Sequence, residues 1–337
     1  MPDSEFLLGG ALLAALTMYA LFAGADFGGG VWDLLASGEQ ADRQRDTIAR
    51  AIAPVWEANH VWLVIAIVIL FTGFPLAFGV IGTALNVPLT LALVGIVLRG
   101  ASFVFRAYGG QGDRAERYWG RLFAAASVVT PLLLGAAVGA LTEGRIRVVD
   151  GRVTTSLVRP WITPFAVLVG VFTLTLFAFL AAVYLTVEAN TADLVDAFRK
   201  RAIAAAVGVA VLALAVFVAA EGAPPIRAAL TRSAWAIPLH AATGACALMT
   251  FAFLYTRAFA WARWTAAGQV CFILWGWALA QFPFLIRPDI TLYNSAAPPA
   301  TIRLLLLLLA TGAIVLFPTL IYLYVVFGPG GTARSKA

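Results

Sequence analysis

The sequence predicts an all-α, polytopic membrane helical bundle of about nine transmembrane helices, a single integral membrane domain over residues 1–337 with no separate soluble domain. Three observations predict it. Composition is 62% apolar and only 12% charged, with a mean hydropathy of +0.91, far outside the range of soluble domains. Apolar runs repeatedly reach the roughly 20 residues that a helix needs to cross hydrocarbon. Long runs such as Leu304 to Leu316 also lack the alternation of a membrane β-barrel.

In chain order the candidate spans are approximately 6–33, 50–72, 77–106, 119–141, 162–187, 202–220, 236–257, 266–286 and 301–327. The opening "MPDSEFLLGGALLAAL" lacks a basic leader and continues beyond signal-peptide length, so it reads as an uncleaved first span. With the amino terminus outside, most of the 23 Lys and Arg, including Lys200 and Lys336, fall on the cytoplasmic side. An odd number of spans then places the carboxyl terminus in the cytoplasm. The net charge of +6 follows from this topology and from anionic lipid, without nucleic acid as a partner. The longest loop, Glu143 to Trp161, is external in this arrangement and large enough for a modest docking surface.

Cys246 and Cys271 both fall within spans and outside any CxxC or CxxCH pattern, so they read as core residues. His60 and His240 lie on different spans, the minimum for one bis-histidine haem. No other ligand cluster supports that reading, and hydrogen-bonded bundle histidines are the competing one. The residues point to a chain without its own haem or metal ligands.

Charged side chains inside spans are costly and mark either function or a tight pair. In "AGADFGGGVWDLL", Asp26 stands about 30 Å along the first helix, toward its cytoplasmic end. Gly29 and Gly30 share its face, where small residues admit a neighbouring helix, and Asp33 returns to that face seven residues on. A packing face with a capping aspartate is the alternative. In "VWEANHVWLVIAIVILF", Glu57 and His60 share a face beside a stripe of Trp56, Asn59 and Leu63. Glu57 then lies one to two turns inside the second helix, at a depth similar to Asp26. Two carboxylates sharing a low-dielectric site would hold a proton between them, which is relay chemistry. An ion pair of Glu57 with Arg99 is the competing reading.

"ADFGGGVWDLL", followed about 25 residues later by "APVWEANHVWL", resembles the paired signature of subunit II of the cytochrome bd-type quinol oxidases. "FPL" after the second span, "LRG" at Leu98–Gly100 and "QFPFL" at Gln281–Leu285 extend the likeness over most of the chain. Asp26 matches the family's first-helix aspartate, Trp56 and Trp62 its tryptophans, Glu57 its acid, Asn59 its asparagine and Arg99 its third-helix arginine. Glu57 stands where many members carry aspartate, Ala25 replaces an aromatic and Ala58 a glycine.

The resemblance implies two four-helix bundles plus one peripheral helix. It implies a heterodimer in which a haem-bearing subunit I carries the quinol site and haems b, with d or b at the oxygen site. A small accessory membrane subunit and bound lipid or quinone belong to the same expectation. Quinol oxidation would reduce O2 to water and generate proton-motive force, with Asp26 and Glu57 transferring protons and Trp56, Asn59, His60, Trp62 and Arg99 in support. The alternatives are a proton-coupled secondary transporter, against which stands the lack of an inverted repeat, and a purely structural subunit.

Overall fold

The computed structural model describes residues 4–53, 56–108, 113–149 and 151–327. Among these, helices dominate: α1 (Ser4–Leu34), α2 (Ala41–Ile52), α3 (Trp56–Asn59), α4 (Val61–Gly73), α5 (Pro75–Ala84), α6 (Asn86–Tyr108) and α7 (Asp113–Glu143). The second half adds α8 (Pro164–Glu188), α9 (Ala192–Ala219), α10 (Pro224–Arg232), α11 (Ala236–Tyr255), α12 (Phe259–Gln281) and α13 (Pro299–Phe327).

Helices α1, α4, α6 and α7 form one group and α8, α9, α11 and α12 a second, joined along the contacts of α8 with α1 and α7. Helix α13 lies outside both, against α1 and α4, and exposes Leu307, Leu308, Ile314 and Val315. The two bundles and one peripheral helix expected from the sequence are therefore present.

Seven of the described helices are long and apolar enough to cross a membrane, and α4 with α5 make an eighth if counted as one bent span. Helix α12 has the length, at 23 residues, but Gln269, Gln281 and four tryptophans dilute its apolar character. The tryptophans include Trp275 and Trp277, which donate to Thr17 and Thr142 across the seam.

The main departure from the expected spans lies at the second one. The run 50–72 is not one helix: α2 ends at Ile52, α3 is a single turn, and α4 begins after His60. With 13 residues α4 spans about 20 Å, short of the roughly 30 Å of hydrocarbon. At its far end Pro75 cannot supply the helical N–H, and the chain turns by 116° into α5. The Gly73 carbonyl left there accepts from Ala297 N at 2.8 Å. Helix α2 lies at the opposite end, amphipathic, with Gln44, Thr47, Ile48 and Ile52 buried and its arginines outward. Arg43 pins it to Asp193 at 2.8 Å.

The seam between bundles depends on Gly28. A Cβ there would lie 2.0 Å from the Phe177 carbonyl oxygen of α8, so only glycine lets the two backbones approach. Two short hairpins close the end of the bundle opposite α2: β1 (Val148–Val149) with β2 (Arg152–Val153), and β3 (Phe284–Ile286) with β4 (Ile290–Thr291). Asp289 ties them by accepting from Val148 N at 2.9 Å and facing Arg147 at 3.4 Å.

Candidate functional site

The buried polar centre of the first bundle sits where α1, α3, α6 and α7 meet. Asp26 is 5% exposed, Asn59 2% and Arg99 1%, in a bundle whose surroundings are apolar. Because the second span breaks between Ile52 and Val61, the turn α3 brings Asn59 against α1, and its Nδ2 donates to Asp26 Oδ2. Arg99 reaches across from α6: its Nη2 donates to the main-chain carbonyl of Asp26 at 2.9 Å and its Nε to Ser127 Oγ at 3.1 Å. Ser127 Oγ in turn donates to Phe123 O at 2.8 Å, which fixes the acceptor.

The guanidinium is stacked between the Phe27 and Phe123 rings, each 5.0 Å from it. Gly30 makes this possible, since a Cβ there would lie 2.2 Å from Ser127 Oγ. The glycines of the first helix thus serve separate neighbours: Gly28 the backbone of α8, Gly29 the side chains of α2, and Gly30 the serine that holds Arg99.

Of the residues singled out from sequence, Asp26, Asn59 and Arg99 are brought together. Trp56 lies against Gly100 and Phe103, on the flank of the same α6 segment. Trp62 packs on Phe317 of α13 and is 7% exposed. His60 sits between the Tyr19 and Phe27 rings, at 6.0 and 6.1 Å, with Nδ1 unpartnered. The backbone of Glu57 belongs to α3, but its side chain lies outside the described residues, and so does any pairing of it with Arg99. Asp33 joins Arg106 in an ion pair of 3.0 Å, both largely buried. Sequence reasoning missed Ser127, Phe123, Tyr19 and Arg106. The signal for Arg106 was present, since Arg99 and Arg106 repeat on α6 the seven-residue spacing of Asp26 and Asp33 on α1.

A cavity of about 330 Å3 adjoins the centre, lined by Met18, Phe22, Asn59, Trp62, Phe317, Leu320, Ile321 and Val325. It lies between α1, the α3–α4 break and α13, apolar except for Asn59. The two histidines do not combine into an axial pair: His60 belongs to the first bundle, whereas His240 on α11 of the second has Nε2 2.9 Å from the Leu230 carbonyl. Among the described residues no three metal-ligating side chains gather.

A sequence profile for "Cytochrome bd terminal oxidase subunit II" matches residues 5–327. The "Putative cytochrome bd menaquinol oxidase subunit II" of Bacillus subtilis is 26% identical over 329 residues, covering 92% of this chain and 91% of that protein. The "Cytochrome bd-I ubiquinol oxidase subunit 2" of Escherichia coli is 30% identical over 139 residues, 41% of this chain and 35% of that protein. In fold, the chain matches the bd oxidase from Geobacillus thermodenitrificans with a TM-score of 0.82 at 22% identity, over 96% of this chain and 98% of that one. A buried Asp26–Asn59–Arg99 centre in a two-bundle membrane fold, with a family match over nearly the whole length, leads to one conclusion: this chain belongs to the cytochrome bd terminal oxidase subunit II family.

Proposed function

We propose that this chain delivers protons, through Asp26 and Glu57, to the oxygen site of a quinol oxidase whose haems b and b or d are held by subunit I. The observation that carries the reading is a carboxylate buried in the membrane, held by Asn59 and fixed next to a guanidinium. Such an arrangement is costly unless it is used, and buried acids in spans are the usual stations of proton relays. Haem in the partner supplies electron transfer from quinol to O2, and this chain's residues hold and pass the protons that water formation consumes. Asp26 takes a proton at a carboxylate oxygen while Asn59 holds the carboxylate and Arg99 holds the main-chain carbonyl of the same residue. Glu57, on the turn that supplies Asn59, is the second station.

The α2 end is assigned to the cytoplasm, since it gathers Arg43, Arg45, Arg50 and Arg106, and the hairpin end to the exterior. Trp62 and Asn59 line a cavity along α13 whose apolar walls offer a place for a lipid or quinone tail. Family membership favours this reading over the transporter alternative.

The test is steady-state O2 consumption by the purified complex with Asp26→Asn or Glu57→Gln, with haem content measured on the same preparations. Full haem content with strongly slowed turnover is expected for both, and Glu57→Asp should stay largely active. If Glu57 is instead a structural charge, Glu57→Gln should lose assembly first, at a cost on the order of 3–5 kcal/mol. Wild-type turnover in haem-loaded Asp26→Asn would overturn the relay.

A further inference from the structure

Asp26 and Asp33 are joined to Arg99 and Arg106 by hydrogen bonds of the same sequence separation, 73 residues. Helices α1 and α6 therefore run parallel, and the two rungs lie two turns apart, about 10 Å along the axis. Ser102 falls between them on the same face of α6, three residues after Arg99 and four before Arg106. Its side chain is fully buried, and its Oγ has no hydrogen-bond partner.

Other hydroxyls in these spans behave differently. Thr17, Ser127, Thr142, Thr173 and Thr175 each donate to the carbonyl four residues back on their own helix. A buried hydroxyl left without a partner costs about 1–3 kcal/mol, and the common remedy is an internal water. Beyond Asp26, toward the hairpin end, Thr130 Oγ1, Tyr19 OH and His60 Nδ1 are buried and unpartnered as well. Taken in order along the bundle axis from the Asp33–Arg106 pair, this row of unpartnered buried polar atoms has Ser102 on one side of Asp26 and Thr130, Tyr19 and His60 on the other.

We propose that this row is hydrated and that protons reach Asp26 along it, from the α2 end past Asp33–Arg106 and over water held by Ser102. A proton passes from water at the Asp33 rung to the water on Ser102, whose own proton goes to an Asp26 carboxylate oxygen. One O–H bond breaks for each that forms, and no electron moves. Ser102 is a positioning residue in this step, since it holds the carrier and is not itself ionised. The inference rests on the reading of Asp26 as a proton station.

The complete oxidase complex with Ser102→Val, which fills the space and removes the hydroxyl, provides the test. A fall of about tenfold in kcat for O2 consumption is expected, with the quinol KM unchanged and the solvent deuterium isotope effect raised. Ser102→Ala, which leaves room for a further water, should lose less. Wild-type kcat and isotope effect in haem-loaded Ser102→Val, or an alanine variant slower than the valine variant, would overturn the route. If Asp26→Asn is slow while Ser102→Val is not, the route fails and the station stands; if Asp26→Asn runs at the wild-type rate, the station itself fails. Independently of how the variants assemble, density maps of the wild-type complex that resolve internal waters should place one within hydrogen-bond distance of Ser102 Oγ. A dry site there refutes the proposal.

Discussion

The two four-helix bundles solve the polar problem of a membrane interior in opposite ways. In the second bundle, polar side chains inside the spans mostly turn back on their own helix or sit at its ends: Thr175 donates to Val171 O, Thr243 to Leu239 O, and Thr250 to Cys246 O. Its arginines stay near the α2 end, with Arg199 on the Leu254 carbonyl and Arg263 over the Tyr184 ring. In the first bundle, Asp26, Arg99, Asp33 and Arg106 lie between helices, and among the described residues their hydrogen bonds and ion pairs run to one another and to Asn59 and Ser127. Buried charge has been kept out of one bundle and concentrated in the other. On the proposed reading, that asymmetry gives proton transfer to the first bundle and support to the second.

The hardest blow to this arrangement falls on the seam that both bundles share. Gly28→Leu should abolish assembly, because even a Cβ would meet the Phe177 carbonyl at 2.0 Å; Gly10→Leu, with nothing within 4 Å, should assemble normally by yield and thermal melting. Next comes Arg99→Met, which removes the cation beside the buried Asp26, leaves the Asp26 main-chain carbonyl without its donor and does the same to Ser127 Oγ. It should destabilise the first bundle by about 3–5 kcal/mol, read as lost complex on gel filtration. Ser127→Ala removes only one hydrogen bond to that guanidinium, so a loss of about 1–3 kcal/mol is expected with the complex still isolable. Thr175→Val in the second bundle should change stability by less than about 1 kcal/mol and leave turnover intact. A Thr175→Val effect as large as that of Ser127→Ala would erase the distinction between the bundles.

Hydropathy located most of the fold. The expected spans 162–187, 236–257 and 301–327 differ by a few residues from Pro164–Glu188, Ala236–Tyr255 and Pro299–Phe327. It failed where apolar residues continue across a backbone break, at α3–α4 and at the α4–α5 bend, because a moving average records transfer free energy and not hydrogen bonding. Proline carried the missing information: Pro54 falls in the sequence between α2 and α3, and Pro75 opens α5.

At the site, Asp26, Asn59 and Arg99 were legible because polar groups stand out against apolar spans. Ser127 and Phe123 were not, being ordinary residues for a membrane helix whose role exists only through the α6–α7 contact. Tyr19 likewise gains significance only when His60 folds back against it.

The most direct measurement of the central claim is time-resolved proton uptake, followed with a pH-sensitive dye, when the fully reduced complex reacts with O2. With Asp26→Asn, haem oxidation should begin at the wild-type rate while proton uptake from the α2 side slows by at least about tenfold. Unchanged uptake in a haem-loaded Asp26→Asn complex would contradict the account.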